Sequence, residues 1–193
     1  MIKGRLDEVE VNLIKSVIGE RIDEKKINLQ KIKAFWIPGD FKRFRIANFS
    51  LPLKFIGIPE NPLSSAYNKS ILIHEIFHQM QYRQSVMSFI RLIIEQIIHR
   101  LFRKNVYEYG RDEFLNGDIL KILDDIKTLE GQASFAQDFA YNYFSYLECR
   151  DVPESLDVNK KGKEFDYKTR AVRYAKVLKR SGIRSSAIDE LTG

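Results

Sequence analysis

The chain has 193 residues, 44% of them hydrophobic and 12% aromatic, which suits one domain with a real core and excludes general disorder. Its net charge of +6 gathers near the C-terminus, where Lys160 to Arg184 holds ten Lys or Arg against Glu164 and Asp166, so the remainder is slightly acidic. Cys149 stands alone, which excludes an internal disulfide, and MIKGRLDEVEVNLIKS lacks a signal-peptide core, so the expected location is the cytoplasm, or beyond it by a specialised secretion system.

The apolar positions Val9, Val11, Leu13, Ile14 and Val17 predict a short helix over 7–18, ending at Gly19 in a left-handed cap. The charged stretch 21–33 reads as loop with an extended piece near Ile27 to Leu29. Three runs rich in β-formers follow, at 34–37, 44–47 and 53–58, the first two separated by a Pro38-Gly39-Asp40 turn. They predict a small, mostly antiparallel sheet, which Pro59, Pro62 and the Ser64-Ser65 pair bring to an end. A helix is expected from Ser64–Asn68 through Tyr82, with Ile73, Ile76, Phe77 and Met80 at helical spacing.

A second helix is expected over 86–103. It is strongly apolar, but Arg91, Glu95, Gln96, His99 and Arg100 interrupt it. A spanning helix needs about 20 mostly uncharged residues, so a buried or interfacial amphipathic helix fits better. Residues 105–117 read as loop. The longest helical pattern runs from Ile119 to Leu147, and a last amphipathic stretch covers Tyr167 to Arg180.

The chemistry concentrates in His74-Glu75-Ile76-Phe77-His78. On a helix, residues four apart share one face, so both imidazoles can point at one cation, and zinc takes imidazole nitrogen at about 2.0–2.1 Å. Glu75 lies about 100° further round the helix, where it can reach a water beside the metal without ligating it. This is the H-E-x-x-H arrangement with glutamate as general base. A catalytic zinc needs a third protein ligand and an open position. The metzincin histidine would fall at position 84, which is Gln84, and His99 sits in the apolar helix beside Arg100. Glu130 is the leading candidate, because it falls on the apolar face of the long helix, where a carboxylate is costly unless paired or bound to a cation. Glu108, Asp124, Asp125 and Asp138 are its rivals.

The run from Ile73 to Tyr82 resembles metallopeptidases associated with bacterial Vgr and type VI secretion proteins, and the core-domain metallopeptidases of extracellular contractile injection systems. The likeness includes Gln81, three residues past the second histidine, and the downstream Glu130-Gly131-Gln132-Ala133. Upstream it takes in Ser16 to Asp23 followed by Lys26 to Leu29, and Tyr107-x-Tyr109 resembles a recurring element between the two helices. It covers roughly residues 8–145. It implies a gluzincin-type site with His74, His78 and Glu130 as ligands. For the whole chain the expectation is a predominantly helical α+β, zincin-like domain over 1–150 with a small antiparallel-rich sheet, and a basic helical appendage over 151–193 packed on it or trailing from it. In one departure, Ser134 stands where many gluzincins carry an aspartate that orients a ligand histidine.

These readings lead to zinc-dependent hydrolysis of a protein or peptide substrate. Glu75 moves the proton, and the oxyanion is met by a donor from Tyr107, Tyr109 or Tyr82. Strand 53–58, if at a sheet edge, could align an extended substrate. Two alternatives stand beside this. One is a non-catalytic, zincin-like accessory module of a bacterial secretion or toxin-delivery system. The other is docking on an anionic surface, membrane or nucleic acid, through the 86–102 helix and the basic 160–184 stretch together, with no RNA- or DNA-binding motif present; a solvated helix face and a core helix are the plainer reading of the two stretches.

Overall fold

Two helices, α2 (Ala66–Gln84) and α5 (Leu129–Asp151), form the spine of the molecule. The computed structural model describes residues 2–24, 27–37, 49–51, 55–102, 104–116, 122–151 and 160–193. Ahead of α2 come β1 (Ile2–Arg5), α1 (Glu8–Glu24), β2 (Lys33–Ile37), β3 (Phe49–Leu51) and β4 (Phe55–Pro59). Between α2 and α5 lie α3 (Val86–Phe102) and α4 (Arg111–Asn116), and after α5 come α6 (Lys160–Arg180) and α7 (Ser186–Thr192). The described chain is therefore mainly helical with one small sheet.

The sheet has the order β1-β2-β4-β3, with β1–β2 and β3–β4 antiparallel and β2–β4 parallel. Two of the three described pairs are thus antiparallel, as expected of a mostly antiparallel sheet, and the central pair is parallel. Ala34, Ile56 and Ile58 are fully buried. A central parallel pair carries apolar residues without strict alternation, which is the pattern that 53–58 shows. This topology also corrects the substrate-edge expectation, because β4 is an interior strand. The edges are β1 and β3, and β3 packs beside α2. The expected strand 44–47 and the turn at 38–40 lie outside the described residues.

Helix α1 begins in a reciprocal cap, with the Asp7 carboxylate accepting from the Glu10 backbone and the Glu10 carboxylate from the Asp7 backbone, both at 2.9 Å. It does not stop at Gly19. It kinks at Ile18 (φ −128°, ψ 16°) and continues to Glu24. Gly19 is therefore not a cap; it lies inside the helix and faces the C-terminal segment at Arg184 and Ser185, where an added Cβ would make ordinary contact. Residues 29–31, expected near an extended piece, form a single 3-10 turn.

Every residue of α2 from Ser70 to Gln81 is buried, packed by α5, α3, α1 and the sheet. Ser65 starts it by accepting from the Asn68 backbone at 3.1 Å. Each fully buried Ile or Phe contributes roughly 1.5–3 kcal/mol, and α2 supplies Ile73, Ile76 and Phe77 to the core. Helix α5 starts at Leu129, later than the 119–147 pattern suggests, and a 3-10 turn at Leu123–Asp125 precedes it. The 105–117 region, expected as loop, includes the six-residue α4. Segment 151–193 packs α6 along α5 and α7 against α6 and α1, so Tyr174, Leu178 and Ile188 belong to the same core as α2.

The start of α5 is tightly built. Thr128 Oγ1 accepts from the Gly131 N–H at 3.0 Å and donates to the Val106 carbonyl at 2.6 Å. A Cβ on Gly131 would fall 2.6 Å from that oxygen and 2.8 Å from Ile126 Cγ2. Gly131→Ala should therefore cost about 1–3 kcal/mol, read as a lower urea midpoint at unchanged slope. An unchanged midpoint would mean that the turn absorbs the methyl.

Candidate metal centre

The α2–α5 crossing brings three side chains to one point. His74 and His78, one turn apart on α2, present Nε2 atoms 3.1 Å from each other. Glu130, in the first turn of α5, places Oε2 at 3.2 Å from His78 Nε2 and 3.4 Å from His74 Nε2. All three residues are buried. Four ligands arranged tetrahedrally at 2.0–2.1 Å lie about 3.3 Å from one another, so these separations are the edges of such a coordination shell. Two imidazoles and a carboxylate, converging with one corner left over, fit a divalent cation by donor type, number and spacing.

The three groups perturb one another. Burial lowers the His74 pKa, and the opposing hydrogen bond to the Glu130 carboxylate does not restore it. Burial also lowers His78, but its hydrogen bond to Glu130 and the charges of Glu130 and Glu75 outweigh that, and His78 ends up raised. For Glu130 burial pushes upward, yet hydrogen bonds from both histidines hold its carboxyl well below the usual carboxylate range.

Glu75 is buried beside this group, and its Oε2 has no hydrogen-bond partner among the described residues. Burial pushes its pKa up to about 8; the His78 charge opposes the shift and the Glu130 charge adds to it. An isolated buried carboxyl costs stability with no structural return, and a nearby divalent cation would favour its ionised form.

The surrounding residues fix the ligands. Gln81 Oε1 accepts from His78 Nδ1 at 2.8 Å, which sets the tautomer whose Nε2 is free to bind metal. The same amide donates to the Leu129 carbonyl at 3.0 Å and to Gln132 Oε1 at 3.2 Å, tying α2 to the start of α5. Gln96 on α3 donates to Glu130 Oε1 and to the Tyr107 hydroxyl. Glu95, buried next to it, accepts from the Leu129 and Glu130 backbone N–H groups at 3.0–3.2 Å, and Arg91 pairs with Glu95 at 3.0 Å. A carboxylate at a helix N-terminus is favoured by the exposed N–H groups and the dipole. His74 Nδ1 makes no hydrogen bond of ordinary geometry among the described residues, and Gln137, one turn beyond Ser134, is after Glu130 a second α5 side chain that raises the His74 pKa.

Gln81→Leu should weaken metal binding about 10- to 100-fold, the usual cost of losing an orienting partner, and competitive chelator titration measures it. Wild-type affinity in this variant would show that the ring is held by packing alone.

The tyrosines separate. The Tyr107 ring lies 6.5 Å from that of His74, centroid to centroid, at the rim of the group. Tyr82 stacks on His78 at 6.3 Å. Tyr109 is not brought to the triad. Its hydroxyl bonds to Asp138 and, at 2.6 Å, to Tyr174, and Asp138 pairs with Arg111 at 3.3 Å. Asp138 is eight residues along α5 from Glu130, about 12 Å down the helix. Burial, reinforced by the Asp138 charge, raises the Tyr109 pKa, so this hydroxyl is an interior hydrogen-bonding group. His99 is also outside the triad, bonded to the Lys104 carbonyl at 2.7 Å and packed on Tyr107. Of the rival acids, Glu108 bonds the Gly110 and Arg111 backbone, and Asp124 and Asp125 lie in the exposed 3-10 turn.

Glu95, Gln96 and Gln137 are the residues that sequence reading missed. No motif marks them, and only the burial of a polar pair inside an apolar helix, Glu95-Gln96, hints at them. No protein-family model matches the chain, and no curated protein and no solved structure shows significant similarity to it.

Proposed function

We propose that this protein is a zinc-dependent peptidase whose ligands are His74, His78 and Glu130 and whose general base is Glu75. The observation that carries the reading is the triad of donor atoms 3.1–3.4 Å apart with the Glu75 carboxyl buried beside it, its Oε2 without a hydrogen-bond partner among the described residues. When bound there, zinc supplies Lewis acidity that polarises a carbonyl and lowers the pKa of water to about 7. Glu75 takes the proton of the attacking water and returns it to the leaving amine. Gln81, Gln96 and Glu95 keep the ligands in place while it does so. Tyr107, at the rim, is the donor proposed for the developing oxyanion; Gln96 already turns toward its hydroxyl.

The substrate we propose is a polypeptide, and the likeness of the His74–Tyr82 and Glu130–Ala133 runs to secretion-associated metallopeptidases supports a place in such a system. A non-catalytic accessory role has less support, because a structural metal has no use for a buried carboxyl that does not ligate it. The test is digestion of an unfolded polypeptide by the purified chain. Cleavage should stop on chelation and return with added zinc; cleavage indifferent to chelator would contradict the proposal. Because the imidazoles must be neutral to bind, zinc affinity should fall steadily as pH is lowered and protons compete for His74 and His78, and an affinity that does not change between about pH 8 and pH 5 would point to a different ligand set.

A further inference from the structure

Helix α3 is inside out. Its exposed face is apolar: Met87 is 65% exposed, Ile90 and Ile93 44%, Ile94 49%, Ile97 48% and Leu101 72%. These positions fall within an arc of about 120° on the helix. Its inward face sets polar groups beside the buried Leu92, with Glu95 capping α5 and Gln96 holding Glu130. The helix cannot roll to hide its apolar stripe without releasing the start of α5 and the third ligand. Such a patch on a soluble surface marks an interaction site.

Charge identifies what covers it. From Arg83 to Lys104 the chain carries Arg83, Arg91, Arg100, Arg103 and Lys104, and its one acid, Glu95, is buried. Arg91 and Arg100 fall at positions flanking the stripe on opposite sides. Arg91, Arg83 and Lys104 are exposed, as is Lys127, whose carbonyl accepts from Arg91. A second copy in a two-fold contact would set these like charges against each other with no exposed acid from α3 to meet them. No helix among the described residues is long and apolar enough to cross a membrane. An apolar stripe with basic flanks is the pattern of a helix lying in the plane of an anionic lipid surface.

We propose that α3 docks this protein on the surface of an anionic bilayer, with Met87, Ile90, Ile94, Ile97 and Leu101 entering the headgroup–acyl boundary. The proposal is independent of the metal reading, since it concerns the opposite face of the helix.

The experiment is vesicle flotation of the full chain with phosphatidylcholine vesicles, with and without about 30% phosphatidylglycerol. The wild type should float with the anionic vesicles, less with neutral ones, and less again at high salt. The double variant Ile94→Glu/Ile97→Glu, at exposed positions, should lose about a hundred-fold in partitioning. As a check that does not depend on that variant folding, an environment-sensitive dye on Ile94→Cys in a Cys149→Ser background should shift to shorter wavelength on anionic vesicles. Failure to float with anionic vesicles, flotation unchanged by the double variant, or an unshifted dye would overturn the proposal. So would a dimer in sedimentation that the double variant dissociates while vesicles go unbound, which would assign the face to a second copy.

Discussion

Glu75→Gln should keep its metal and lose hydrolysis by about a thousand-fold or more, the contribution typical of a positioned general base. The substitution preserves shape, so the core around α2 has no reason to move. Its electrostatic consequence in the ion-free protein is the opposite of damaging. Burial raises the Glu75 pKa to about 8, above its ordinary 4.5, so the folded state holds a proton that the unfolded state has released between those values. Stability contributed by that group is present below about pH 4.5 and declines as pH rises toward 8. A neutral amide carries no such penalty, so the apo variant should be at least as stable as the apo wild type at neutral pH. Loss of activity with equal or greater stability would identify Glu75 as chemical machinery; full activity in the variant would remove the mechanism.

The second large effect falls on the ligands. His78→Ala deletes the residue at the centre of the group, bonded to His74, Glu130 and Gln81 together. Affinity for zinc should fall by about a thousand-fold or more. Glu130→Gln is the gentler companion: it keeps an oxygen for the imidazoles but loses the charge, and should weaken binding by a smaller factor. Thermal unfolding reads both. Zinc at a thousand times its Kd stabilises a folded protein by about 4 kcal/mol, and for a chain of this size each kcal/mol moves Tm by roughly 2–4 °C. Wild type should show that shift on adding zinc after chelation, and His78→Ala should not. Equal shifts in the two proteins would mean that zinc acts elsewhere.

Much of the site was legible because one helix encodes most of it. The spacing of His74, Glu75 and His78 needs no tertiary information, and Ser65, Ile73, Ile76 and Met80 fix where that helix starts and which positions are apolar. Glu130 was reachable because a carboxylate at a buried helical position calls for a partner, although the helix begins only at Leu129 and not at Ile119. Tyr109 was misassigned because proximity in sequence to Tyr107 says nothing about direction: one ring faces His74 and the other faces Asp138 and Tyr174. The parallel β2–β4 pairing was hidden because it depends on the path of the intervening chain, and a five-residue apolar run is the same in either direction. In α3 the amphipathicity is legible from the residue pattern but its sense is not, because the contacts of Glu95 and Gln96 with α5 decide it.

Elemental analysis of the purified, dialysed protein tests the centre most directly. About one equivalent of zinc should accompany the wild type and Glu75→Gln, and His78→Ala should carry almost none. The same trace metal content in all three proteins would contradict the assignment of His74, His78 and Glu130 as a metal centre.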